Sequence, residues 1–394
     1  MEDWKLYKIV DLCKNVISGG TPTTSVKEYY EGGTIPWLKT TEVHKEIIRQ
    51  TDTHITEKGL KNSSAKLVPA NSIIVAMYGD GGTAGKAALT KIPLSTNQAC
   101  CNLIIDPKKA DYGFVYYYLK ISYESLVNLK LGGSQQNLNT QVIKNFPITV
   151  PDLPTQQRIA GILSAYDELI EVNNQRIRLL EETARQLYKE WFVRLRFPGH
   201  EQTHFVKGVP DSWSEISFRD FIKLNRGFDL PDEQIIEGEY PVVASTSIKA
   251  YHNQYKVEAP CVATGRSGSL GTVQYINQRS WPLNTSLYVK DFKGNSPRYV
   301  YYFLQSLNLE NFNAGAGVPS LNQNHLHGLK FAVPPKKLQK QFDDFIVPLF
   351  SQIETLQSQN THLRQIRDRL LPRLISGKLS VGAAEVGAAE ANPA

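Results

Sequence analysis

Between Thr155 and Trp191, apolar or seam-type residues recur at Ile159, Ile162, Tyr166, Leu169, Asn173, Ile177, Leu180, Ala184, Leu187 and Trp191, always in steps of three or four. That period describes one face of a helix, not a strand. No proline interrupts the run, and its one glycine, Gly161, stands near the start. Two successive steps of four between Leu169 and Ile177 predict a stutter there. The 37 residues make a rod of roughly 55 Å. Phe197-Pro198-Gly199 predicts its end, because proline cannot continue a helix. A second run of the same kind marks Phe342, Phe345, Leu349, Ile353, Leu356, Asn360, Leu363, Ile366, Leu370 and Leu374. Pro348 lies inside it. It removes a backbone donor and crowds the preceding turn, costing about 3 kcal/mol in a helix interior. The expectation is a break just before Pro348, with the proline in the first turn of a new segment. Pro372 predicts a further kink or the helix end. Two helices with one apolar face each are expected to bury those faces on each other. Asn173 or Asn174 and Asn360 then sit on or beside the seam, where polar residues fix register.

The stretches before each helix alternate short β-type runs, such as Ser72–Met77 and Ala99–Ile105, with Gly, Asn and Pro clusters. An aromatic helix is predicted over Tyr112–Tyr123, and a strand over Phe146–Val150. After Gly199 the order begins again. Trp213 echoes Trp4, Tyr240-Pro241-Val242 echoes Ile35-Pro36-Trp37, and Thr264-Gly265 echoes Tyr78-Gly79, each opening a glycine-rich run. Pro282-Leu283-Asn284-Thr285 echoes the segment from Pro93 to Asn97. The aromatic helix returns at Tyr299–Leu304, and a polar turn at Pro319-Ser320-Leu321-Asn322 matches the one from Gly132 to Asn139. The offset between the copies shrinks along the chain, so the first copy carries extra loop residues, mostly between Trp37 and Tyr78. This is a duplication of a whole domain plus its helix, not a solenoid repeat.

Composition narrows the class. At 394 residues, with 41% hydrophobic and 21% charged, the chain is long enough for two or three folded units. No apolar run reaches 18 residues, so no transmembrane helix is expected. The mixed, acidic start does not resemble a signal peptide. Cys13, Cys100, Cys101 and Cys261 form no CxxC pair, which predicts reduced, mostly buried thiols in a cytoplasmic protein. The net charge of +6 permits a nucleic-acid partner without demanding one. Its distribution is uneven: residues 197–240 carry 4 basic and 9 acidic residues, whereas 241–333 carry 8 and 3. The first long helix region, Thr155 to Arg196, carries seven basic and six acidic residues, which predicts solvated outer faces and not a phosphate-binding stripe.

Candidate catalytic chemistry is thin. The run Gly79 to Ala87 resembles a phosphate-cradling loop, but a P-loop requires Gly where Asp80 stands and Ser or Thr where Ala87 stands. Its second-copy counterpart carries Arg266 and no Lys, so the expectation is a shared backbone role with variable side chains. His325 and His327 are spaced for a strand face, with no third metal ligand near in sequence. There is no HExxH, no GxSxG and no Asn-Pro-Pro-aromatic methyltransferase signature.

The segment Leu153–Leu163 with its continuation to Glu182, the distal run Leu370-Leu371-Pro372-Arg373-Leu374-Ile375-Ser376-Gly377-Lys378, and the turn Ser18-Gly19-Gly20-Thr21-Pro22 together carry a resemblance. Asn225-Arg226-Gly227-Phe228 stands at the place of that turn in the second copy. Over nearly its whole length the chain closely resembles the specificity (S) subunit of type I restriction–modification systems. The resemblance implies an α+β fold: two similar mixed α/β target-recognition domains, a pair of long antiparallel coiled-coil helices, and a pseudo-two-fold internal repeat. The expected divisions are a first recognition domain over 1–152, a central helix over 153–196, a second recognition domain over 197–333, a distal helix over 334–380 and a disordered tail over 381–394.

The resemblance further implies a chain with no catalytic activity and no cofactor of its own. It would read double-stranded DNA and dock two methyltransferase (M) subunits and restriction–translocase (R) subunits. S-adenosylmethionine, ATP and Mg would belong to those partners. Two non-identical readers held by a rod predict an asymmetric bipartite target, with an unread spacer on the order of 5–8 base pairs. Arg and Lys suit guanine edges, Asn and Gln adenine edges. The recurring polar loops therefore nominate Lys39, Thr40, Thr41, Lys86, Asn97, Gln98, Gln135, Gln136 and Asn137 in the first domain. In the second they nominate Ser245, Thr246, Arg266, Ser267, Asn284, Ser320, Asn322 and Asn324. The competing readings are a fused DNA-modifying enzyme and a coiled-coil adaptor with no DNA role.

Overall fold

A computed structural model describes residues 4–79, 82–131, 138–315 and 317–382. The chain forms two compact units, one made of residues 1–172 with 359–394, the other of residues 173–358. In the first unit a five-stranded sheet runs in the order Cys13–Ser18, Cys100–Ile105, Ile73–Ala76, Ala87–Thr90, Ile47–Ile48. A second sheet orders Thr53–Ile55, Ile35–Leu38, Leu94–Thr96 and Leu67–Val68, and Lys5–Lys8 pairs antiparallel with Pro147–Val150. Helices α1 (Tyr112–Ile121) and the start of α2 (Leu153–Tyr188) pack into this unit's core. Asp111 caps α1, its carboxylate accepting from the Phe114 N–H at 2.9 Å. Phe114, Tyr117 and Leu119 of α1 are buried in one core with residues of the sheet and with Ile159 and Leu163 of α2.

The second unit repeats this plan. Its main sheet orders Lys223–Arg226, Ser286–Asp291, Cys261–Gly265 and Val273–Ile276. A smaller one orders Ile248–His252, Tyr240–Val243 and Trp281–Pro282, and Ser214–Ser217 pairs with Lys330–Val333. Here α3 (Pro297–Ser306) takes the part of α1, and the beginning of α4 (Lys336–Ile375) takes the part of the beginning of α2.

One buried residue ties the long helix to the cap of the aromatic helix in the same way in both units. Gln156 accepts from the Asp111 N–H at 3.0 Å and donates to the Pro151 carbonyl at 2.8 Å. Gln339 accepts from the Ser296 N–H at 2.9 Å and donates to the Pro334 carbonyl at 3.1 Å. Each glutamine is 1% exposed, so a lost partner cannot be replaced by water. Gln339→Leu is expected to cost about 1–3 kcal/mol by stranding these groups. A lowered urea midpoint, with exchange protection lost first at Pro297–Ser306, would show it; an unchanged midpoint would contradict it.

The helices correct several expectations. In α2 the buried positions are Gln156, Ile159, Ala160, Leu163, Ile170, Asn173, Ile177, Ala184 and Tyr188, whereas Leu169 is exposed. With Leu163, Ile170 and Tyr188 in place of Ile162, Leu169 and Leu187, the stutter predicted between Leu169 and Ile177 is absent, and two successive steps of four fall between Leu180 and Tyr188 instead. In α4, Ile346 is buried where Phe345 was expected, and Arg367 takes the place assigned to Ile366, which is exposed. The predicted break at Pro348 does not occur, since α4 is one helix of 40 residues through both Pro348 and Pro372. Pro348 lies on the exposed side, as does Asp344, so water can satisfy the carbonyl that loses its helical partner. Helix α2 yields at Tyr188 to a π-helical turn, Lys189–Val193, ahead of the predicted end at Phe197.

Within each unit the two helix segments run antiparallel. In the first, Leu163 shares a core with Leu371 and Leu374, while Asp167 meets Arg367. In the second, Ile177 packs with Ile353 and Leu356, and Trp191 lies 5.9 Å, ring to ring, from Phe342. Each helix therefore contributes both to the seam and to the globular core of the unit its segment belongs to. Val381 is also buried in the first core, and residues 383–394 lie outside the described residues.

Candidate nucleic-acid interface

In the first unit, the turn Ser18–Pro22 is pressed onto the end of a neighbouring strand. The Gly19 N–H donates to the Cys100 carbonyl at 3.0 Å and the Gly20 N–H to that of Thr96 at 2.8 Å. A Cβ on Gly19 would lie 2.1 Å from the Asn97 carbonyl oxygen, and one on Gly20 2.3 Å from the Ala65 nitrogen. The two glycines are therefore required by close backbone approach. The Trp37 indole N–H donates to the Gly20 carbonyl at 3.0 Å, which holds the 38–41 segment alongside. Of the nominated residues, Lys39, Thr40, Asn97 and Gln98 meet here. The Asn97 amide donates to the Thr40 hydroxyl at 3.2 Å, so both are largely committed inward. Gln98 and Thr41 are exposed, as is Lys39, whose ammonium lies 5.8 Å from the Trp37 ring. Lys86 is exposed at the far end of a hairpin turn, where its backbone bonds Ala76 and Thr83 and not this group. Gln135, Gln136 and Asn137 lie outside the described residues, as do Asp80 and Gly81 of the glycine-rich turn.

The second unit gathers more of its nominated residues. Ser245 donates to the carbonyls of Ser267 and Thr285, at 3.0 and 2.9 Å. The Arg266 N–H donates to the Thr285 carbonyl at 2.8 Å, and its guanidinium to the Asn284 carbonyl at 3.2 Å. Ser267 and Ser320 form an antiparallel bridge. Ser245, Arg266, Ser267, Asn284 and Ser320 thus form one knot, with Arg266 and Asn284 half-buried. Thr246 is exposed beside it. Asn322 is occupied otherwise: its side chain caps the helix Gln323–His327 by accepting from the Asn324 N–H at 3.0 Å. That helix also removes the expected strand-like spacing of His325 and His327, since residues two apart on a helix do not face the same way.

Hydrogen bonding resets the register of the repeat. Ala76 pairs with Cys100, as Gly265 pairs with Ser286. The Met77 N–H donates to the Ala99 carbonyl, as the Arg266 N–H does to that of Thr285. Arg266 therefore occupies the place of Met77 and not that of Asp80, and Asn284 corresponds to Gln98. Counting from glycine to glycine misplaced these loops by three residues, because strand pairing and not glycine number sets the alignment. Arg226 and Asp229 belong to the second knot although the loop comparison passed over them; the guanidinium donates to Asp229 at 3.0 Å. Their signal was the Gly227 between them, whose Cβ would lie 2.2 Å from the Leu283 carbonyl oxygen.

The reactive side chains are subdued. Burial pushes the Cys101 thiol up to about 12 and the Cys261 thiol up to about 11, so neither is a thiolate at neutral pH. Among the described residues no three His, Cys, Asp or Glu side chains gather as metal ligands, and no helix is long and apolar enough to cross a membrane.

One scaffold built twice, with a constant loop junction and differing polar side chains on it, is the build of a two-headed recognition protein. The family model for the type I restriction modification DNA specificity domain matches residues 1–182 and 210–365, and the chain belongs to that family. It is 28% identical to the type I restriction enzyme MjaIX specificity subunit of Methanocaldococcus jannaschii, over 96% of this chain and 94% of the relative. It is 31% identical to the EcoR124I/EcoR124II specificity subunit of Escherichia coli, over 38% of each chain. The crystal structure of a type I restriction–modification S subunit from M. genitalium shares the fold, with a TM-score of 0.62 at 20% identity, over 94% of this chain and 96% of that one.

Proposed function

We propose that this chain is the DNA-reading specificity subunit of a type I restriction–modification complex, itself without catalytic activity. The observation that carries the reading is the duplicated knot. Hydrogen bonds fix the same backbone junction in both units, while the side chains on it differ: Gln98 with Thr21 in one, Asn284 with Asp229 in the other. A constant frame with variable polar groups suits two readers of different base sequences. The target is then bipartite and asymmetric, one half per unit. Phosphate contacts would come from the basic surface of 241–333 and its first-unit counterpart, making binding strongly salt-dependent. The chemistry resides in two methyltransferase subunits, which bring S-adenosylmethionine, and in restriction–translocase subunits, which use ATP and Mg.

The test is to co-express the chain with its methyltransferase partner and sequence modified bases with and without it. A two-part methylated motif appearing only with the chain is expected. Methylation by the chain alone, or none that depends on it, would sink the reading. Within that assay, Arg266→Ala is expected to relax or abolish one half-site and leave the other intact. Equal loss at both halves would instead place Arg266 in a general structural or phosphate-binding role.

A further inference from the structure

The two knots share a detail that their sequences conceal. In the first unit the Gly19 and Gly20 N–H groups bond Cys100 and Thr96, and the Asn97 N–H bonds Leu38. In the second, the Gly227 and Phe228 N–H groups bond Ser286 and Pro282, and the Leu283 N–H bonds Val243. These bonds superimpose the two loops residue by residue. Thr21 and Asp229 then occupy one place, and Gln98 and Asn284 another. In both units the two places are joined side chain to side chain. The Thr21 hydroxyl donates to the Gln98 amide oxygen, and the Asn284 amide nitrogen donates to the Asp229 carboxylate. The pairing persists although all four residue types differ, and the chemistry inverts: a hydroxyl holds the amide by its oxygen, a carboxylate holds it by its nitrogen.

We propose that Gln98 and Asn284 are the adenine-reading side chains of the two half-sites, and that Thr21 and Asp229 are the residues that position them. This rests on the DNA-reading function proposed above. A carboxamide recognises adenine by donating to N7 while accepting from the N6 amino group. Thr21 uses one lone pair of Gln98, which keeps a second lone pair and both N–H donors. Asp229 uses one N–H of Asn284, which keeps the other and its whole carbonyl oxygen. Each amide is restrained yet retains a donor and an acceptor. Restraint before binding removes rotamer entropy that a free glutamine or asparagine would lose on contact. Both groups are accessible, Gln98 exposed and Asn284 half-buried. The second knot is reinforced further. Arg226 donates to the same Asp229 at 3.0 and 3.3 Å, and Arg266 donates to the Asn284 main-chain carbonyl at 3.2 Å, leaving the side-chain oxygen untouched.

The test uses the full chain co-expressed with its methyltransferase partner, reading the methylated motif base by base. Gln98→Ala and Thr21→Val are expected to relax one and the same A·T position in one half-site, by about 5- to 150-fold in discrimination. Thr21→Ser, which keeps the donor, should restore it. Asn284→Ala and Asp229→Ala should together relax one A·T position in the other half-site. Gln98→Glu keeps an oxygen for Thr21 but loses its donors, and should move the preference at that position from adenine towards cytosine. The inference is overturned if the motif keeps every position in these variants, or if partner and amide variants relax different positions. It is equally overturned if a variant that still co-purifies with the methyltransferase loses a whole half-site. A wild-type chain that directs no methylation defeats the function reading itself, a result distinct from these.

Discussion

Truncating Phe342 to alanine is expected to lower the stability of the second unit by about 3–5 kcal/mol, the range for removing a buried aromatic ring. Phe342 is fully buried on α4, and it joins three elements. Its ring centroid lies 5.1 Å from Phe192, 6.1 Å from Tyr188 and 6.1 Å from Tyr302. Alanine would leave a void among rigid rings that cannot collapse inward, so both the transfer and the cavity contributions are lost. Urea titration followed by hydrogen exchange reads the effect locally. Protection should fall at Pro297–Ser306 in the second unit and stay at Tyr112–Ile121 in the first. An unchanged midpoint, or equal loss in both segments, would contradict the assignment of Phe342 to one unit's core.

The second large effect is expected at Arg367. Its guanidinium meets the Asp167 carboxylate inside the first unit's seam, each side chain 11% exposed. Tyr117 donates to the other Asp167 oxygen at 2.6 Å. Burial, and then the adjacent Asp167 charge, push the Tyr117 phenol far above its ordinary range, so it remains a donor. Arg367→Ala leaves a carboxylate with one neutral partner in a nearly dry place, a loss of about 3 kcal/mol. Replacing both charges, Asp167→Asn with Arg367→Leu, keeps an acceptor for the Tyr117 hydroxyl and should recover most of that, since no buried charge is left unpaired. A double-mutant cycle on the urea midpoint checks both statements. If the single and double variants are equally destabilised, the cost is lost packing of the arginine stem rather than stranded charge. In the second unit, counted from Gln339 as Asp167 is counted from Gln156, the place of that carboxylate is taken by Phe350, 6.3 Å from the Tyr302 ring.

Much of the plan was legible because it depends on local pattern. Helical periodicity found both long helices, and the aromatic runs marked α1 and α3, although their caps, Asp111 and Ser296, were not named from sequence. The recurrence of Trp4 and Trp213 marked the duplication correctly, since each leads into the strand that pairs with the last strand of its unit. The candidate residues were less legible. Arg266 and Asn284 were nominated from their chemistry, but Arg226 and Asp229, which share their knot, were not, because they lie about forty residues or more earlier in the chain. Thr21 escaped for the same reason, 77 residues from Gln98.

By itself, the sequence determined that there are two related units, each closed by a long helix, with a glycine-bearing turn that begins each knot. These follow from short-range rules: side-chain spacing, capping, and the backbone approach that only glycine allows. The tertiary structure alone decided which neighbouring residue turns inward, Leu163 and not Ile162, Ile346 and not Phe345. Adjacent helix positions differ by about 100° in direction, and only what packs opposite selects between them. It also decided that α4 passes unbroken through Pro348, because the freed carbonyl could face water. And it decided which loop residues meet, because strand hydrogen bonds set a register that counting along the chain cannot supply.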